Sequence, residues 1–170
     1  MLSKILSKEE CASCKFCCSF RRQSLWETPL FDEKQMNAVL EKYPGVKFTE
    51  VPSSINQSVR NKKIYTVKLS DKYKTDDSEE EVSCPFLDST KGCILPRDLK
   101  PFDCSRWPLR VVRSDDNIKV VLTPTCNAIN KIELSEVKKF VKEELEEEIL
   151  IYAKSHPEII KDDSDFFVKL

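Results

Sequence analysis

The clearest periodicity in the sequence lies near its C-terminus. Apolar residues recur there at intervals of three and four positions, which is the spacing of one helix face. Ser135 is the expected N-cap and His156-Pro157 the expected end, so the pattern predicts an amphipathic helix over 135–156. Its apolar face consists of Val137, Phe140, Val141, Leu145, Ile149 and Tyr152. Its solvated side is expected to carry Glu143, Glu144, Glu146, Glu147 and Glu148.

A second helix is predicted in the first quarter of the chain, from about Asp32 to Tyr43. Pro44-Gly45 follows it and is expected to end it, because neither residue continues a helix well. Its apolar stripe consists of Met36, Val39, Leu40 and Tyr43.

Three further segments have patterns typical of strands and turns. Residues 62–69 are rich in β-branched and aromatic types and predict a strand. Residues 109–122 hold two alternating apolar runs around Ser114-Asp-Asp-Asn117, which predicts a hairpin. The acidic stretch over 74–83 is expected to be a solvated turn. Together these elements predict an α+β fold with a short antiparallel sheet and a C-terminal amphipathic helix.

Composition narrows the class of protein. A chain of 170 residues predicts a single domain over 1–170. With 40% hydrophobic residues and a net charge of -1, it resembles neither a disordered chain nor a general nucleic-acid binder. Its 2 glycines exclude a P-loop and a GxGxxG dinucleotide turn. No apolar run approaches the roughly 18–20 residues of a membrane span, and the first residues do not read as a secretory signal. We therefore expect a cytoplasmic protein without membrane or nucleic-acid partners.

The 8 cysteines are the most informative residues. In the reducing cytosol, clustered cysteines are more often metal ligands or redox groups than structural disulfides. Prolines interrupt the segment around Cys93 and Cys104, so these two are expected on an irregular loop. The first group is Cys11, Cys14, Cys17 and Cys18, and the second is Cys84, Cys93, Cys104 and Cys126.

Three chemistries compete for these thiols: disulfides, zinc and an iron–sulfur cluster. Disulfides suit the even count but not the compartment. Zinc suits the C-x2-C spacing, because sites of four cysteine thiolates often use it. Iron–sulfur ligation also uses closely spaced cysteines with a distant fourth ligand, and a 4Fe–4S cluster is the expected type. The second group has no C-x2-C, which favours iron over zinc. Two centres are arithmetically possible, and Cys18 is available for the second or as an alternate ligand.

Other residues have simpler interpretations. Lys15, Arg21 and Arg22 stand near the first cysteines without an acid between 11 and 23, and cations close to a thiol lower its pKa. His156 is expected to be a helix-end residue rather than a ligand, and Asp115 and Asp116 to be turn residues. Phe102 and Trp107 flank Cys104 and are expected to pack around it.

The complete cysteine pattern is similar to that of a known family. Cys11-x2-Cys14-x2-Cys17-Cys18 is followed by further matching segments, and the chain thereby resembles the CxxCxxCC cysteine-cluster (YkgJ-like) family of zinc- or iron-chelating proteins. The resemblance spans 11–126. The matching segments are Cys84-Pro-Phe-Leu87, Gly92-Cys93-Ile94, Lys100-Pro101-x2-Cys104, Trp107-Pro108 and Cys126. The departures are Lys15 where members often have Gly, Leu95 for Tyr, Lys100 for Arg and Ser105 for Arg.

This resemblance implies a metal-binding core over 11–126, in which all eight cysteines are ligands of an iron–sulfur cluster or zinc with a structural or redox role. The family also includes flagellin lysine N-methylases. A protein-lysine methylase using S-adenosylmethionine is therefore one alternative, although the chain has no glycine-rich methyltransferase turn. A zinc-stapled interaction module without catalysis is the other.

Overall fold

A computed structural model of the chain describes residues 5–6, 10, 13–52, 62–114 and 117–170. The fold is a mixture of short helices and short strands, as expected for the α+β class. The chain forms two compact units. The central unit is Lys15–Ser105, and the terminal unit combines Met1–Cys14 with Arg106–Leu170.

The central unit contains small antiparallel sheets. Strand β1 (Ser19–Phe20) pairs with β5 (Val82–Ser83). A three-stranded sheet has the order β2-β4-β3, and a two-stranded sheet joins β6 to β7. The remaining strand bounds are β2 (Leu30–Asp32), β3 (Phe48–Glu50), β4 (Ile64–Val67), β6 (Leu87–Asp88) and β7 (Gly92–Cys93). The strand predicted over 62–69 is confirmed as β4.

The helix predicted from about Asp32 to Tyr43 is confirmed as α1 (Glu33–Lys42). Asp32 is its N-cap, and one carboxylate oxygen accepts a hydrogen bond from the Gln35 amide at 2.7 Å. Val39 is fully buried, so the predicted apolar stripe faces the interior. Tyr43 ends the helix, with φ −131° and ψ 68°.

The core of the central unit is aromatic. Phe31 contacts Phe48 edge to face, with ring centroids 5.1 Å apart, and Phe86 lies close to Tyr43. Cysteines take part in this packing: Cys84 is one of the buried core residues, and Cys18 and Cys93 pack against them. The buried members of this core are Phe20, Phe31, Val39, Val67, Cys84, Phe86 and Leu95.

The terminal unit is built on a four-stranded sheet with the order β10-β8-β9-β11. The predicted hairpin is confirmed: β8 (Leu109–Ser114) pairs with β9 (Asn117–Leu122) up to Ser114 opposite Asn117. Asp115 and Asp116, expected in its turn, lie outside the described residues. Strand β10 (Ile160–Asp162) runs parallel to β8, and β11 (Val168–Lys169) runs antiparallel to β9. The predicted short antiparallel sheet is therefore confirmed in β8, β9 and β11, and the segment after the last helix adds β10 as a parallel edge strand.

The single helix predicted over 135–156 is two helices, α3 (Leu134–Glu144) and α4 (Glu146–Ser155). Leu145 between them leaves helical geometry, with φ −131° and ψ −32°. Hydrogen bonds continue across the break, from the Leu145 amide to Val141 and from the Ile149 amide to Leu145. The four-residue spacing of buried side chains therefore persists, which is why the sequence pattern looks continuous. The expected N-cap is also wrong, because α3 already begins at Leu134 and Ser135 lies inside it.

None of the helices in the described part of the chain is long and apolar enough to cross a membrane.

Candidate metal centre

The first cysteines of the central unit lie on a tight turn. Lys15 has φ 55°, a left-handed conformation that favours glycine, and it directs the chain into a 3-10 turn over Phe16–Cys18. The Cys18 amide closes this turn by donating to the Lys15 carbonyl at 3.0 Å. The turn presents both thiols on one side, with the Cys17 and Cys18 Sγ atoms 4.0 Å apart. Cys17 is exposed and Cys18 is half-buried.

Strand pairing brings Cys84 beside this turn. Strands β1 and β5 are in register with Ser19 opposite Ser83. The pairing extends one step further, because the Cys84 amide donates to the Cys18 carbonyl at 2.8 Å. Residues more than sixty positions apart thus become neighbours through two-residue strands. Cys84 is 6% exposed and belongs to the aromatic core.

A small hairpin places Cys93 next to the same core. The Leu87 amide donates to the Cys84 carbonyl at 3.0 Å, and Leu87 then stands opposite Cys93 in the β6–β7 ladder. Gly92, just before Cys93, has φ 74°, a conformation that a side chain would strain. This turn therefore depends on one of the two glycines in the chain.

Cys104 lies on the short helix α2 (Phe102–Arg106). Pro101 directly precedes α2, where a missing backbone donor costs nothing. The expectation that Cys93 and Cys104 occupy an irregular loop is therefore wrong. The prolines separate short regular elements in this segment. Strand β7 and helix α2 still form, because each is short enough to fit between two prolines.

The thiols of the central unit influence one another electrostatically. Hydrogen bonds with Cys17 and Cys93, followed by burial, raise the pKa of the Cys18 thiol. The hydrogen bond from Cys18 lowers the pKa of Cys93 to about 6, helped by the charge of Lys100 and opposed by burial. Cys93 is therefore the thiol of this pair that ionises first.

Burial dominates at the remaining two thiols. Together with the charges of Cys93 and Cys17, and against a backbone hydrogen bond from Phe86, burial raises the pKa of Cys84 to about 12. It also raises the pKa of Cys104, with additional contributions from Cys84, Asp103, Cys17 and Cys93. The shared interactions place five thiols in one neighbourhood: Cys17, Cys18, Cys84, Cys93 and Cys104.

The donor chemistry of this neighbourhood suits a soft metal. Clustered cysteine thiolates are preferred ligands of zinc and of iron–sulfur clusters. The structure joins none of the seven described cysteines in a disulfide. Within the described ranges, however, no group of three or more histidine, cysteine, aspartate or glutamate side chains is arranged so that it could hold a metal ion. The sulfurs thus share a neighbourhood without forming a coordination shell.

The other predicted ligands belong to the terminal unit. Cys14 is half-buried there, and Cys126 is 7% exposed. Cys126 begins a turn in which the Asn130 amide donates to its carbonyl at 3.0 Å. Cys11 lies outside the described residues. The ligand roles of Cys11, Cys14 and Cys126 stay predictions.

Two further side chains considered in the sequence analysis have identifiable ring contacts. The His156 ring stacks on the Tyr152 ring, with centroids 3.8 Å apart, at the end of α4, which confirms the helix-end interpretation. The Trp107 ring carries the Arg110 guanidinium 4.5 Å from its centroid. Trp107 belongs to the terminal unit and Cys104 to the central one. The expected packing of Trp107 and of Phe102 around Cys104 stays a prediction.

The acidic stretch over 74–83 has a role that sequence reasoning missed. Glu80 accepts hydrogen bonds from the amides of Lys74 and Thr75, at 2.7 and 2.9 Å, which lower its pKa to about 2. Arg22 pairs with Glu80 at 3.3 Å and donates to two carbonyls of the same stretch.

Arg21 adds two further ion pairs, to Glu79 at 3.0 Å and to Glu81 at 2.8 Å. The hydroxyl of Tyr73 donates to the Phe20 carbonyl at 2.8 Å. The segment 73–81 therefore acts as an ionic strap that fixes the chain just after Cys18. The sequence signal for these ion pairs was the adjacent arginines Arg21 and Arg22 together with the acidic stretch over 74–83.

The sequence matches no protein-family model and no curated protein, and no solved structure matches the fold. The resemblance to the CxxCxxCC family therefore depends on the motif residues alone.

Proposed function

We propose that the protein binds a metal centre, an iron–sulfur cluster or zinc, through thiolates of its central unit. The observation that carries this proposal is the convergence of cysteines from distant parts of the sequence. The Cys84 amide donates to the Cys18 carbonyl at 2.8 Å, and the Leu87 amide donates to the Cys84 carbonyl while Leu87 stands opposite Cys93 in the β6–β7 ladder. The directions of the thiol pKa shifts agree with this proximity.

The surroundings of these thiols support a structural role for the metal. Cys84 directly follows β5, and Cys93 is the second residue of β7. Both strands are two residues long, and isolated strands of that length have little stability. A metal bound by ligands from several such pieces would stabilise them, because its binding free energy becomes folding free energy. The sulfurs would have to move onto the metal, since among the described residues they do not form a coordination shell.

Cys18, Cys84, Cys93 and Cys104 are the proposed ligands. A four-coordinate centre needs four of the five neighbouring thiols. These four are buried or half-buried, whereas Cys17 is exposed. The nearby Lys100 would offset part of the negative charge that thiolates bring to the site.

Metal analysis of the full chain, purified without oxygen, tests this proposal. Iron with acid-labile sulfide and visible absorption would identify a cluster, and stoichiometric zinc without colour would identify a zinc site. We expect Cys84→Ser and Cys93→Ser to lose most of the metal, and Ser83→Ala, the matched control beside Cys84, to keep it. Protein that binds neither metal, or serine variants that keep full occupancy, would contradict the proposal.

Nothing in the described ranges favours the S-adenosylmethionine-dependent alternative over metal binding.

A further inference from the structure

Two surfaces of the central unit each carry one exposed apolar side chain beside two charges of the same sign. The apolar residues are Leu25, which is 41% exposed, and Ile94, which is 40% exposed. The charges beside Leu25 are negative, and those beside Ile94 are positive. The two surfaces are therefore complementary to each other in charge and alike in apolar content.

The acidic surface lies where the ionic strap meets the 3-10 helix Arg22–Glu27. Three residues make one turn of a 3-10 helix, so Leu25 lies on the same side of it as Arg22. The Arg22 guanidinium donates to the Asp77 carbonyl at 2.8 Å, and Asp76, just before it, is exposed. Leu25, Asp76 and Asp77 therefore share one side of the unit, and we call them the acidic patch.

The two aspartates of this patch differ from the glutamates of the strap. The glutamates over 79–81 form ion pairs with arginines. The Asp77 carboxylate accepts a hydrogen bond from the Glu79 amide at 2.9 Å. Among the described residues, however, Asp76 and Asp77 form no ion pair. The acidic patch therefore presents two uncompensated negative charges to solvent.

The basic surface lies at the short 3-10 turn Arg97–Leu99. The Lys100 amide donates to the Arg97 carbonyl at 3.4 Å, so these two side chains are one turn apart and lie on the same side. Asp98 is displaced by about 120° around the turn. Ile94 precedes Arg97 by three residues, which span at most about 11 Å. We call Ile94, Arg97 and Lys100 the basic patch.

Backbone contacts hold Ile94 with its side chain directed outward. The Tyr43 hydroxyl donates to the Ile94 carbonyl at 3.1 Å. Leu95, the next residue, is 5% exposed, so successive side chains alternate and Ile94 faces away from the core. In the part of the chain that the structure describes, Arg97 and Lys100 form no ion pair with a carboxylate. The basic patch therefore presents two cations beside one apolar side chain.

We propose that the acidic patch of one copy of this chain docks on the basic patch of a second copy, so that the protein associates with itself head to tail. A second copy is the occupant because the chain itself carries the complement of each patch. Leu25 and Ile94 form the apolar centre of the contact, and the opposite charges lie around it. A net charge of -1 leaves almost no overall repulsion between copies.

The contact is weak and reversible, because its apolar area is small compared with that of a stable interface. It involves neither the thiols nor a metal, so metal content does not decide it. Its strength depends on charge and therefore falls as ionic strength rises.

Sedimentation of the full chain, purified without oxygen, tests the association. We expect the weight-average mass to rise with protein concentration at low ionic strength. It should return toward the monomer value at about 1 M salt, where the Debye length is only about 3 Å. A chain that stays monomeric at every concentration, or an association that does not depend on salt, would overturn the inference.

Two charge-reversal variants locate the contact. Arg97→Glu alters only the basic patch, and Asp76→Lys alters only the acidic patch. We expect each variant alone to raise the dissociation constant by more than about tenfold, because like charges then face each other. An equimolar mixture of the two is expected to associate again, since the acidic patch of the first and the basic patch of the second are both intact.

Lys139→Glu is the matched control and is expected to associate like the native chain, because it reverses an exposed charge in the terminal unit. Association that survives either patch reversal would overturn the inference. So would a mixture that stays monomeric although circular dichroism shows both variants folded. If a reversal unfolds the chain, Arg97→Gln and Asp76→Asn replace the two variants, and unchanged association would again contradict the contact.

Discussion

At the scale of single residues, the site depends on a few unusual backbone and side-chain positions. Lys15 holds a left-handed conformation that places the Cys17–Cys18 turn, and Gly92 does the same before Cys93. Beneath the thiols, Phe86 is 1% exposed and contacts both Phe31 and Tyr43.

Lys15→Gly is expected to stabilise the protein relative to Lys15→Ala. Both variants lose the hydrogen bond from Lys15 Nζ to the Ser89 carbonyl, but only glycine removes the left-handed strain. That strain is worth about 1 kcal/mol for a residue with a Cβ atom. Urea unfolding should give a free energy of unfolding higher for Lys15→Gly by about this amount. Equal stability of the two variants would show that the turn carries no strain.

Phe86→Ala is expected to lower the free energy of unfolding by about 3–5 kcal/mol, because it leaves a cavity in the aromatic core. Metal content should fall with it, since Phe86 is two positions from the proposed ligand Cys84. Phe166→Ala is the control, because Phe166 is 44% exposed. Denaturant unfolding and metal analysis measure both effects. A loss as small as that of the control would mean that the core beneath the thiols is not tightly packed.

At the scale of elements, short strands and one ionic strap arrange the cysteines. Strands β1 and β5 bring Cys18 and Cys84 together, and the β6–β7 hairpin adds Cys93. None of these strands is long enough to show the alternation of apolar and polar residues by which a strand is predicted from sequence. The strap over 73–81 then ties the segment after Cys18 through Arg21 and Arg22. Its Glu80 carboxylate is held by two backbone amides, which is why its pKa is depressed.

Glu80→Gln is expected to abolish a pH-dependent part of the stability. A depressed folded-state pKa contributes stability above the unfolded value of about 4.5, and this contribution is lost as pH falls toward about 2. The stability difference between the native protein and Glu80→Gln should therefore be constant near neutral pH and shrink below about pH 4.5. Urea unfolding at a series of pH values measures it. Glu79→Gln, which removes an exposed partner of Arg21, should show a smaller difference; equal effects would argue against the backbone bonds to Glu80.

At the scale of the whole molecule, the chain divides into two units that differ in how they are stabilised. The terminal unit has a four-stranded sheet and two helices with a continuous buried face. The central unit contains the five neighbouring thiols and depends on very short strands. We therefore expect removal of the proposed metal to destabilise the central unit more than the terminal unit.

Hydrogen exchange with and without a chelator is expected to show this difference. Amide protection over 84–104 should fall when metal is removed, because the pieces that carry the proposed ligands lose their cross-link. Protection in β8 and β9 should change little, since their ladder is long and buried. Uniform loss in both units would indicate that the metal stabilises the whole chain, and no change would argue against a structural metal.

The sequence alone determined the elements whose side chains repeat with a period. Helix α1, strand β4 and the β8–β9 hairpin were predictable because burial on one face imposes a local pattern of apolar residues. The cysteine spacing likewise indicated thiol chemistry. Only the tertiary structure decided which thiols are neighbours, that the C-terminal helix breaks at Leu145, and that β10 runs parallel to β8. The thiol neighbourhood and the β10–β8 pairing depend on contacts between distant segments, and the pairing of strands only two or three residues long leaves no periodic pattern in the sequence.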